Sequence, residues 1–336
     1  MTYHEAVKSS DTDLLPLILE LYGLEGCEIS RVQPHEGGRN VVYACGENIV
    51  RIAFLGDRSR EDFLAEVEFV RYLAEYGASV ANVIASQNGN LLEELTHDGR
   101  TFYICVFERA RGKQLVENNY RYREGAPLSE YFYNCGKVLG KMHQLSKEYV
   151  PVHRRYDWSD KTNAGYIGEL VPDSSSRLKA RLLQILKDLE GLDRGRAVYG
   201  MIHNDYSDGN YNIDFGTGRI TVYDFDDACF GWYMYELANV WIHGVGWVRN
   251  ERSARKRKKF MDEYFAAVLA GYRSETDIGD DALALLPLFI DVTLMGHIVE
   301  IIRDNLERRR GLRYLRKCLE KGIPYAGIFK YRKWSL

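Results

Sequence analysis

The sequence lacks the patterns that mark membrane, secreted and repeat proteins. No stretch of the 336 residues approaches the length of an apolar membrane span, and the polar N-terminus, Met-Thr-Tyr-His-Glu-Ala, has no apolar signal core. No internal repeat or low-complexity segment is present. We therefore expect a cytoplasmic protein that has no membrane partner.

The cysteines show no metal-binding or redox spacing. The chain has six of them: Cys27, Cys45, Cys105, Cys135, Cys229 and Cys318. None forms a Cys-x-x-Cys pair, and no His/Cys cluster has the spacing of a zinc site. We expect all of these thiols to be free, in a reduced intracellular protein.

The charge balance also excludes a strongly charged partner. The formal net charge is only -3, which does not predict nucleic-acid or membrane binding. Residues 252–259 form a basic run at the start of an amphipathic helix, and we interpret it as a solvated helix face. A nucleic-acid patch is the alternative interpretation of that run.

What is present is a β-rich N-terminal third followed by a mainly helical remainder. The length suits two lobes, and 46% hydrophobic residues permit a sizeable core. We predict an α+β fold with an N-lobe at 1–108 and a C-lobe at 109–336 that contains a β-hairpin at 210–224. The N-lobe is predicted to hold strands at 28–33, 40–45, 48–54, 90–95 and 101–108, and a helix at 59–76.

The segment from Met201 to Asp227 carries the most informative motif. It contains His203-x-Asp205-x-x-x-x-Asn210, followed by Asp224-Phe225. Residues 211–214 and 219–223 alternate like strands around a turn at 215–218. Folding that hairpin near residue 217 would place Asn210 opposite Asp224, with Cβ atoms about 5 Å apart.

These residue types suit metal-assisted chemistry. An Asn carbonyl and an Asp carboxylate are oxygen ligands of the kind Mg²⁺ prefers, with water and phosphate completing its shell. Asp205 precedes the hairpin and could accept a proton from an attacking hydroxyl. The alternative is that these polar residues are only turn formers.

A second pair of charged residues lies in the N-terminal third. Arg51 is in the predicted strand 48–54, and Glu66 shares the buried face of the following helix with Phe63 and Val70. A buried carboxylate needs a cationic partner, and Arg51 is the nearest candidate on a strand. A strand cation held by a helix carboxylate is the arrangement by which protein kinases position phosphates.

Together these motifs resemble the aminoglycoside phosphotransferase and choline kinase superfamily, relatives of protein kinases, across nearly the whole chain. Residues 104–112 resemble its hinge, residues 135–145 its Leu-x-x-Met/Leu-His helix, and residues 203–210 its His-Gly-Asp-x-x-x-x-Asn loop. The tail 319–325 resembles that of stress-response serine/threonine kinases and type II homoserine kinases.

The resemblance implies a bilobal protein-kinase-like fold and an enzyme that uses ATP and Mg²⁺. Asp205 would be the catalytic base, and Asn210 and Asp224 the metal ligands. Arg51 and Glu66 would form the phosphate-positioning pair, and the backbone between Glu108 and Ala110 would bind adenine. His203 would orient the loop or serve only as a structural residue.

Three positions depart from the family pattern. Arg51 stands where the wider kinase pattern has Lys, so its phosphate contact is expected to differ. Asn204 replaces the usual Gly. The loop at 36–40, which we expect to lie near the β- and γ-phosphates together with Arg51, lacks a complete Gly-x-Gly-x-x-Gly.

Three functions remain open from the sequence: a small-molecule kinase, a stress-response-type protein kinase and a nucleotide-binding pseudokinase. We favour a small-molecule hydroxyl acceptor that carries positive charge, with the oligomeric state left open. Functional groups on the predicted helices 233–247 and 288–305 would shape its site, against the alternative of ordinary solvated ion pairs. They are Tyr235, Glu236, Trp241, His243, Asp291, His297, Glu300 and Asp304.

Overall fold

A computed structural model describes residues 2–32, 39–304, 309–323 and 325. Most of the loop predicted at 36–40 to lie near phosphates therefore falls outside the described residues, and only Arg39 and Asn40 of it are described. Within these ranges no helix is both long and apolar enough to cross a membrane.

The chain folds as two compact units. The first consists of Met1–Tyr120, Tyr149–Arg155 and Asn210–Asp226, and the second of Arg121–Glu148, Tyr156–Gly209 and Asp227–Leu336. The first unit thus extends beyond the lobe boundary expected at 108 and includes the hairpin. Backbone hydrogen bonds explain this, because the hairpin pairs with Lys113 through Ile213 and with Ala81 through Val222.

Ten strands lie in the described part of the chain. They are β1 (Ile29–Val32), β2 (Asn40–Cys45), β3 (Asn48–Ala53), β4 (Val83–Ile84), β5 (Glu93–His97), β6 (Arg100–Glu108), β7 (Tyr199–Ile202), β8 (Tyr211–Ile213), β9 (Ile220–Val222) and β10 (Cys229–Trp232). The first six form an antiparallel sheet in the order β1-β2-β3-β6-β4, with β5 also paired to β6. Strands β8 and β9 form the predicted hairpin, and β7 pairs with β10.

Twelve α-helices lie in the same described ranges. They are α1 (Tyr3–Ser9), α2 (Leu15–Tyr22), α3 (Arg60–Glu75), α4 (Leu128–Glu148), α5 (Trp158–Lys161), α6 (Ala164–Leu170), α7 (Ser176–Glu190), α8 (Tyr233–Trp247), α9 (Ala254–Arg273), α10 (Asp280–Leu283), α11 (Leu286–Arg303) and α12 (Arg309–Lys321). The mainly helical remainder predicted from the sequence contains α4, α7, α8, α9, α11 and α12, and the predicted helices 233–247 and 288–305 correspond to α8 and α11.

The sheet of the first unit separates two apolar clusters. Val50 and Ile52 of β3 pack with Ile18 of α2, whereas Ala53 packs with Phe63 and other residues of α3. Successive strand residues point to opposite faces, so Arg51, between Val50 and Ile52, points to the α3 side. The alternation of β3 therefore decides which helix Arg51 can reach.

The core of the second unit is built on the packing of α4 against α9. A Cβ on Gly136 of α4 would overlap the Val268 carbonyl of α9, and a Cβ on Gly271 of α9 would overlap the Tyr133 carbonyl of α4. Glycine at both positions lets the two helix backbones approach closely. The approach brings Tyr272 of α9 to the buried side of α4.

The expectation that all six cysteines are free thiols is wrong for two of them. Cys27 and Cys45 form a disulfide with a Cα–Cα distance of 5.7 Å. The turn between α2 and β1 brings Cys27 to the end of β2, a proximity that spacing in the sequence does not reveal. The other four cysteines are free and buried.

Candidate active site

Arg51 and Glu66 form the pair that the sequence predicted. Arg51 Nη1 donates to Glu66 Oε1 at 2.6 Å, and Arg51 Nη2 donates to Glu66 Oε2 at 2.9 Å. Glu66 is fully buried on α3, and Arg51 is 6% exposed on β3. Two parallel charge-assisted bonds are the strong bidentate geometry that arginine, unlike lysine, can make.

The pair is electrostatically matched. Burial alone would raise the pKa of Glu66, but the guanidinium charges of Arg51, Arg155 and Arg58 outweigh burial and lower it. Burial alone would lower the pKa of Arg51, but the neighbouring Glu66 raises it above its ordinary value. Both groups are therefore charged at neutral pH, and neither acts as a general acid or a general base at that pH.

A second buried carboxylate, Asp226, lies beside this pair. It forms an ion pair with Arg58, and its Oδ1 lies 3.4 Å from Arg51 Nη1. Burial, together with the charge of the neighbouring Arg51, lowers the pKa of Arg58 to about 10. The first unit therefore concentrates three buried guanidinium groups, counting Arg155, around two buried carboxylates.

The hairpin carries the two predicted metal ligands, but its register differs from the prediction by one residue. Tyr211 pairs with Val222, and the Tyr223 N–H donates to the Asn210 carbonyl at 2.9 Å. Asn210 is thus opposite Tyr223, and the prediction that it faces Asp224 is wrong. The four-residue turn 215–218 is centred between residues 216 and 217, because the Asp214 N–H bonds to the Arg219 carbonyl.

Asp224 follows the ladder in an unusual backbone conformation. Its φ is +65°, in the left-handed region that residues other than glycine rarely adopt. Such strain costs about 1–3 kcal/mol and persists where surrounding contacts enforce it, often at functional sites. The side chain of Asp224 is exposed and that of Asn210 is partly buried, so both are accessible to a ligand.

The donor chemistry of this pair fits Mg²⁺. Both side chains offer hard oxygen atoms, and Mg²⁺ commonly takes one or two protein ligands and completes its shell with water and substrate phosphates. In the described ranges, no group of three or more His, Cys, Asp or Glu side chains forms a separate metal cluster. The assignment of Asn210 and Asp224 as ligands stays a prediction.

The predicted hinge ends strand β6. The Glu108 N–H donates to the Asn82 carbonyl at 2.7 Å, and the Ala110 carbonyl accepts from Asn212 Nδ2 at 2.9 Å. Asn212 lies on β8, so the hairpin and the hinge are joined directly within the first unit. Adenine binding between Glu108 and Ala110 stays a prediction.

The catalytic-base candidate Asp205 belongs to the second unit and its side chain is exposed. Its backbone N–H donates to His203 Nδ1 at 3.3 Å, so His203 contacts the loop that presents Asp205, and its orienting role stays a prediction. Asn204 has φ +71°. The family pattern has Gly at this position, and Asn is among the few other residues that adopt the left-handed conformation readily.

A buried glutamate of α8 fixes this loop. Glu236 accepts the backbone N–H of His203 at 3.1 Å and that of Asn204 at 2.8 Å. It also contacts His143 Nε2 at 2.8 Å, while His143 Nδ1 contacts the Tyr272 hydroxyl at 3.0 Å. Glu236 therefore supports the loop, and it does not belong to the acceptor wall where the sequence placed it.

Five of the seven remaining acceptor-wall residues divide into two groups. Asp291 forms an ion pair with Arg181 at 2.6 Å, and Asp304 forms one with Arg303. His243, His297 and Glu300 are accessible to solvent, although burial lowers the pKa of both imidazoles, to about 4 for His297.

Comparison with known proteins agrees with this geometry. The model of the "Phosphotransferase enzyme family" (APH) matches residues 31–278, about three quarters of the chain. The chain belongs to this family. The predicted relationship to aminoglycoside phosphotransferases is thereby confirmed.

Individual relatives cover nearly the full chain. Amicoumacin kinase of Bacillus subtilis (strain 168) is 26% identical over 303 residues, which are 85% of each protein. The solved structure of amicoumacin kinase hAmiN in complex with AMP-PNP, Ca²⁺ and Ami has a TM-score of 0.80 at 24% identity, covering 96% of this chain and 97% of that one.

A microcompartment-associated aminopropanol kinase has a TM-score of 0.70 at 18% identity, covering 94% of this chain and 98% of that one. These similarities confirm the predicted α+β phosphotransferase fold.

Asp226 and Arg58 were not predicted to take part in the site, and Glu236 was predicted to shape the acceptor site and not to support the loop before Asp205. Asp226 lies two residues after the motif Asp224, in the run Asp224-Phe-Asp-Asp, and a second Asp at that spacing was the available signal. Glu236 lies in the stretch Tyr235-Glu-Leu-Ala238. Its partners are backbone N–H groups, which every residue except proline has, so the sequence does not reveal them.

Proposed function

We propose that the protein is a kinase that transfers the γ-phosphate of ATP to a hydroxyl of a small molecule and requires Mg²⁺. Membership of the phosphotransferase family supports the reaction type. Relatives named for kinase activity on amicoumacin and aminopropanol support a small-molecule acceptor. Because ATP is the donor, we also propose a cytoplasmic location.

The observation that carries the proposal is the buried bidentate Arg51–Glu66 pair in the same unit as Asn210 and Asp224. The charge of Asp224 contributes to raising the pKa of Arg51, so the two groups interact. A cation held by a helix carboxylate beside a metal-binding hairpin is how kinases position the phosphates of ATP.

In this proposal each predicted residue has one role. The backbone between Glu108 and Ala110 binds adenine, and Arg51, positioned by Glu66, faces the phosphates. Asn210 and Asp224 hold Mg²⁺, which neutralises charge on the transferring phosphoryl group when it is bound. The protein has little covalent chemistry to perform, so positioning dominates.

Asp205 accepts the proton of the acceptor hydroxyl. Its exposed carboxylate can meet a hydroxyl directly, and Glu236 and His203 fix the backbone that presents it. General-base assistance of this kind requires a carboxylate within hydrogen-bond reach of the proton that leaves.

The second unit favours an acceptor that carries an amine. Burial raises the pKa of Glu300, and the carboxylates of Asp205, Asp304 and Asp227 add to the increase against the charge of Arg303. Several carboxylates close enough to repel one another gain from a cation placed among them. Aminopropanol, the substrate in the name of one relative, combines an amine with a hydroxyl.

The proposal is tested by incubating the protein with γ-labelled ATP, Mg²⁺ and a panel of hydroxyl compounds. The panel contains amicoumacin, aminopropanol, spectinomycin, choline and homoserine, with casein and the protein itself as protein acceptors. We expect Mg²⁺-dependent label on at least one amino alcohol. Label on protein serine or threonine alone would replace this proposal with a protein kinase.

A further inference from the structure

Asp226 contacts Arg51 and Asn40 and lies close in sequence to Asp224, three residues at or beside the predicted phosphate and metal sites. Its Oδ1 lies 3.4 Å from Arg51 Nη1, and its Oδ2 accepts from Asn40 Nδ2 at 3.3 Å. Asn40 ends the loop predicted to lie near the phosphates. Asp226 is also only two residues from Asp224. One carboxylate therefore joins the phosphate-side cation, the loop and the metal-binding hairpin.

Two buried arginines fix Asp226 from the α3 side. Arg58 forms an ion pair with its carboxylate and donates through Nη2 to Asn40 Oδ1 at 3.1 Å. Arg155 donates to the backbone carbonyls of Asp226 and Asp62. Arg58 is 5% exposed and Arg155 is 1% exposed. The side chain and the main chain of Asp226 are thus bound independently.

These contacts account for the strained conformation of Asp224. Asp224 has φ +65°, a conformation that neighbouring contacts must enforce, and the short turn Phe225–Asp227, which contains Asp226, begins at the next residue. Since Arg58 and Arg155 hold that turn, they also constrain the direction of the Asp224 carboxylate.

The charges indicate that Asp226 serves the arginines and is not a further metal ligand. A buried guanidinium without a carboxylate partner is strongly unfavourable. Removing Asp226 would leave Glu66 as the one buried carboxylate near Arg51 and Arg58 among the described contacts. A divalent cation would have to displace these guanidinium groups to reach its oxygens.

We propose that Asp226 is a positioning residue: fixed by Arg58, it holds Arg51, Asn40 and the hairpin end that bears Asp224 in one arrangement, so that Mg²⁺ and the nucleotide phosphates bind cooperatively. This inference rests on the proposed function, because that function assigns Arg51 to phosphate and Asp224 to Mg²⁺. It adds a residue that neither binds the metal nor accepts a proton.

The test measures ADP affinity by calorimetry with and without Mg²⁺, and adenosine affinity as the phosphate-free reference. The ratio of the two ADP dissociation constants is the coupling factor. We expect Asp226→Asn and Arg58→Gln each to lower this factor about tenfold, a normal size for coupling between sites. The double variant should lose little more, because both changes break the same contact.

Matched controls and adenosine separate positioning from general damage. Asp214→Asn makes the same change just before the hairpin turn, where an Asn Oδ1 can still accept the Gly216 N–H, and Arg60→Gln removes an exposed arginine two residues from Arg58. Both should keep the wild-type factor, and adenosine affinity should be unchanged in all variants. Should Asp226→Asn or Arg58→Gln not fold, Asp226→Glu and Arg58→Lys retain the charges and should still lower the factor.

Three results would overturn the inference. A normal factor in Arg58→Gln with a reduced one in Asp226→Asn would make Asp226 a direct metal ligand. A normal factor in every folded variant would remove its positioning role. Wild-type protein that binds ADP equally with and without Mg²⁺ would overturn the proposed function itself, which distinguishes that failure from the first two.

Discussion

Two glutamates, Glu66 in the first unit and Glu236 in the second, are both fully buried, yet they have different partners. Glu66 is paired with a guanidinium group through two charge-assisted bonds. Glu236 is bound by two backbone N–H groups and the ring of His143. One carboxylate fixes a cation and the other fixes a loop.

The difference matches what each unit has to present. In the first unit the proposed function assigns Arg51 to the phosphates, which need its charge, so the compensating group must also be charged. In the second unit the group to be positioned is the backbone before Asp205. Two backbone N–H donors there compensate the charge of Glu236 in place of an arginine. Three variants test this comparison, from the largest expected effect to the smallest.

Glu66→Gln should have the largest effect on stability. Removing one charge of a buried pair leaves the other uncompensated, at a cost of about 3–5 kcal/mol. Arg51 would also lose its orientation, so the ATP KM should rise and kcat should fall together. Urea denaturation and steady-state kinetics measure the two effects. Stability within error of wild type would mean that Asp226 alone compensates Arg51.

Glu236→Gln should cost less, about 1–3 kcal/mol, because it disrupts hydrogen bonds to N–H groups and leaves no buried arginine behind. Its kinetic signature should also differ. The loop that presents Asp205 would shift while the nucleotide-binding residues of the first unit stay in place, so kcat should fall at an unchanged ATP KM. A raised ATP KM with normal kcat would contradict the separation of roles.

His297→Gln should have the smallest effect, and it should depend on pH. Burial and the neighbouring His243 lower the pKa of His297 to about 4, below the ordinary value of 6.5. Between these values the unfolded chain binds more protons than the folded chain, so wild-type stability falls as pH falls from 6.5 to 4.

The variant lacks this titration and should lose less stability over the same range. Because His297 is accessible to solvent, we expect the two thermal midpoints to diverge by only about 1 °C. Thermal melts in a pH series measure the divergence. Parallel curves for the two proteins would show that His297 has an ordinary pKa.

Sequence periodicity predicted the parts of the site that local patterns determine. The alternation of β3 and the 3.6-residue period of α3 placed Arg51 and Glu66 on facing surfaces, and they form the expected pair. Asp98 and Gly99 form the two-residue turn between β5 and β6, and both adopt the positive φ that such a turn requires.

Contacts between distant segments could not be predicted in this way. Arg155 reaches Asp226 from a segment 71 residues away, and His143 reaches Glu236 across 93 residues. Neither pair belongs to a periodic pattern. The hairpin register was predicted wrongly by one residue. The bond between Asp214 and Arg219 sets the centre of the turn, and residue types in the sequence do not reveal a backbone bond.

The central claim is that the hairpin of the first unit binds Mg²⁺ through Asp224 for phosphoryl transfer. The most direct test compares γ-phosphate transfer from ATP by Asp224→Asn and Asp214→Asn, two identical changes on one hairpin. Asn tolerates the left-handed backbone of Asp224, so the fold should be retained. We predict that Asp224→Asn lowers kcat by about 10³-fold or more at an unchanged thermal midpoint, while Asp214→Asn keeps wild-type activity. Wild-type kcat in Asp224→Asn would contradict the account.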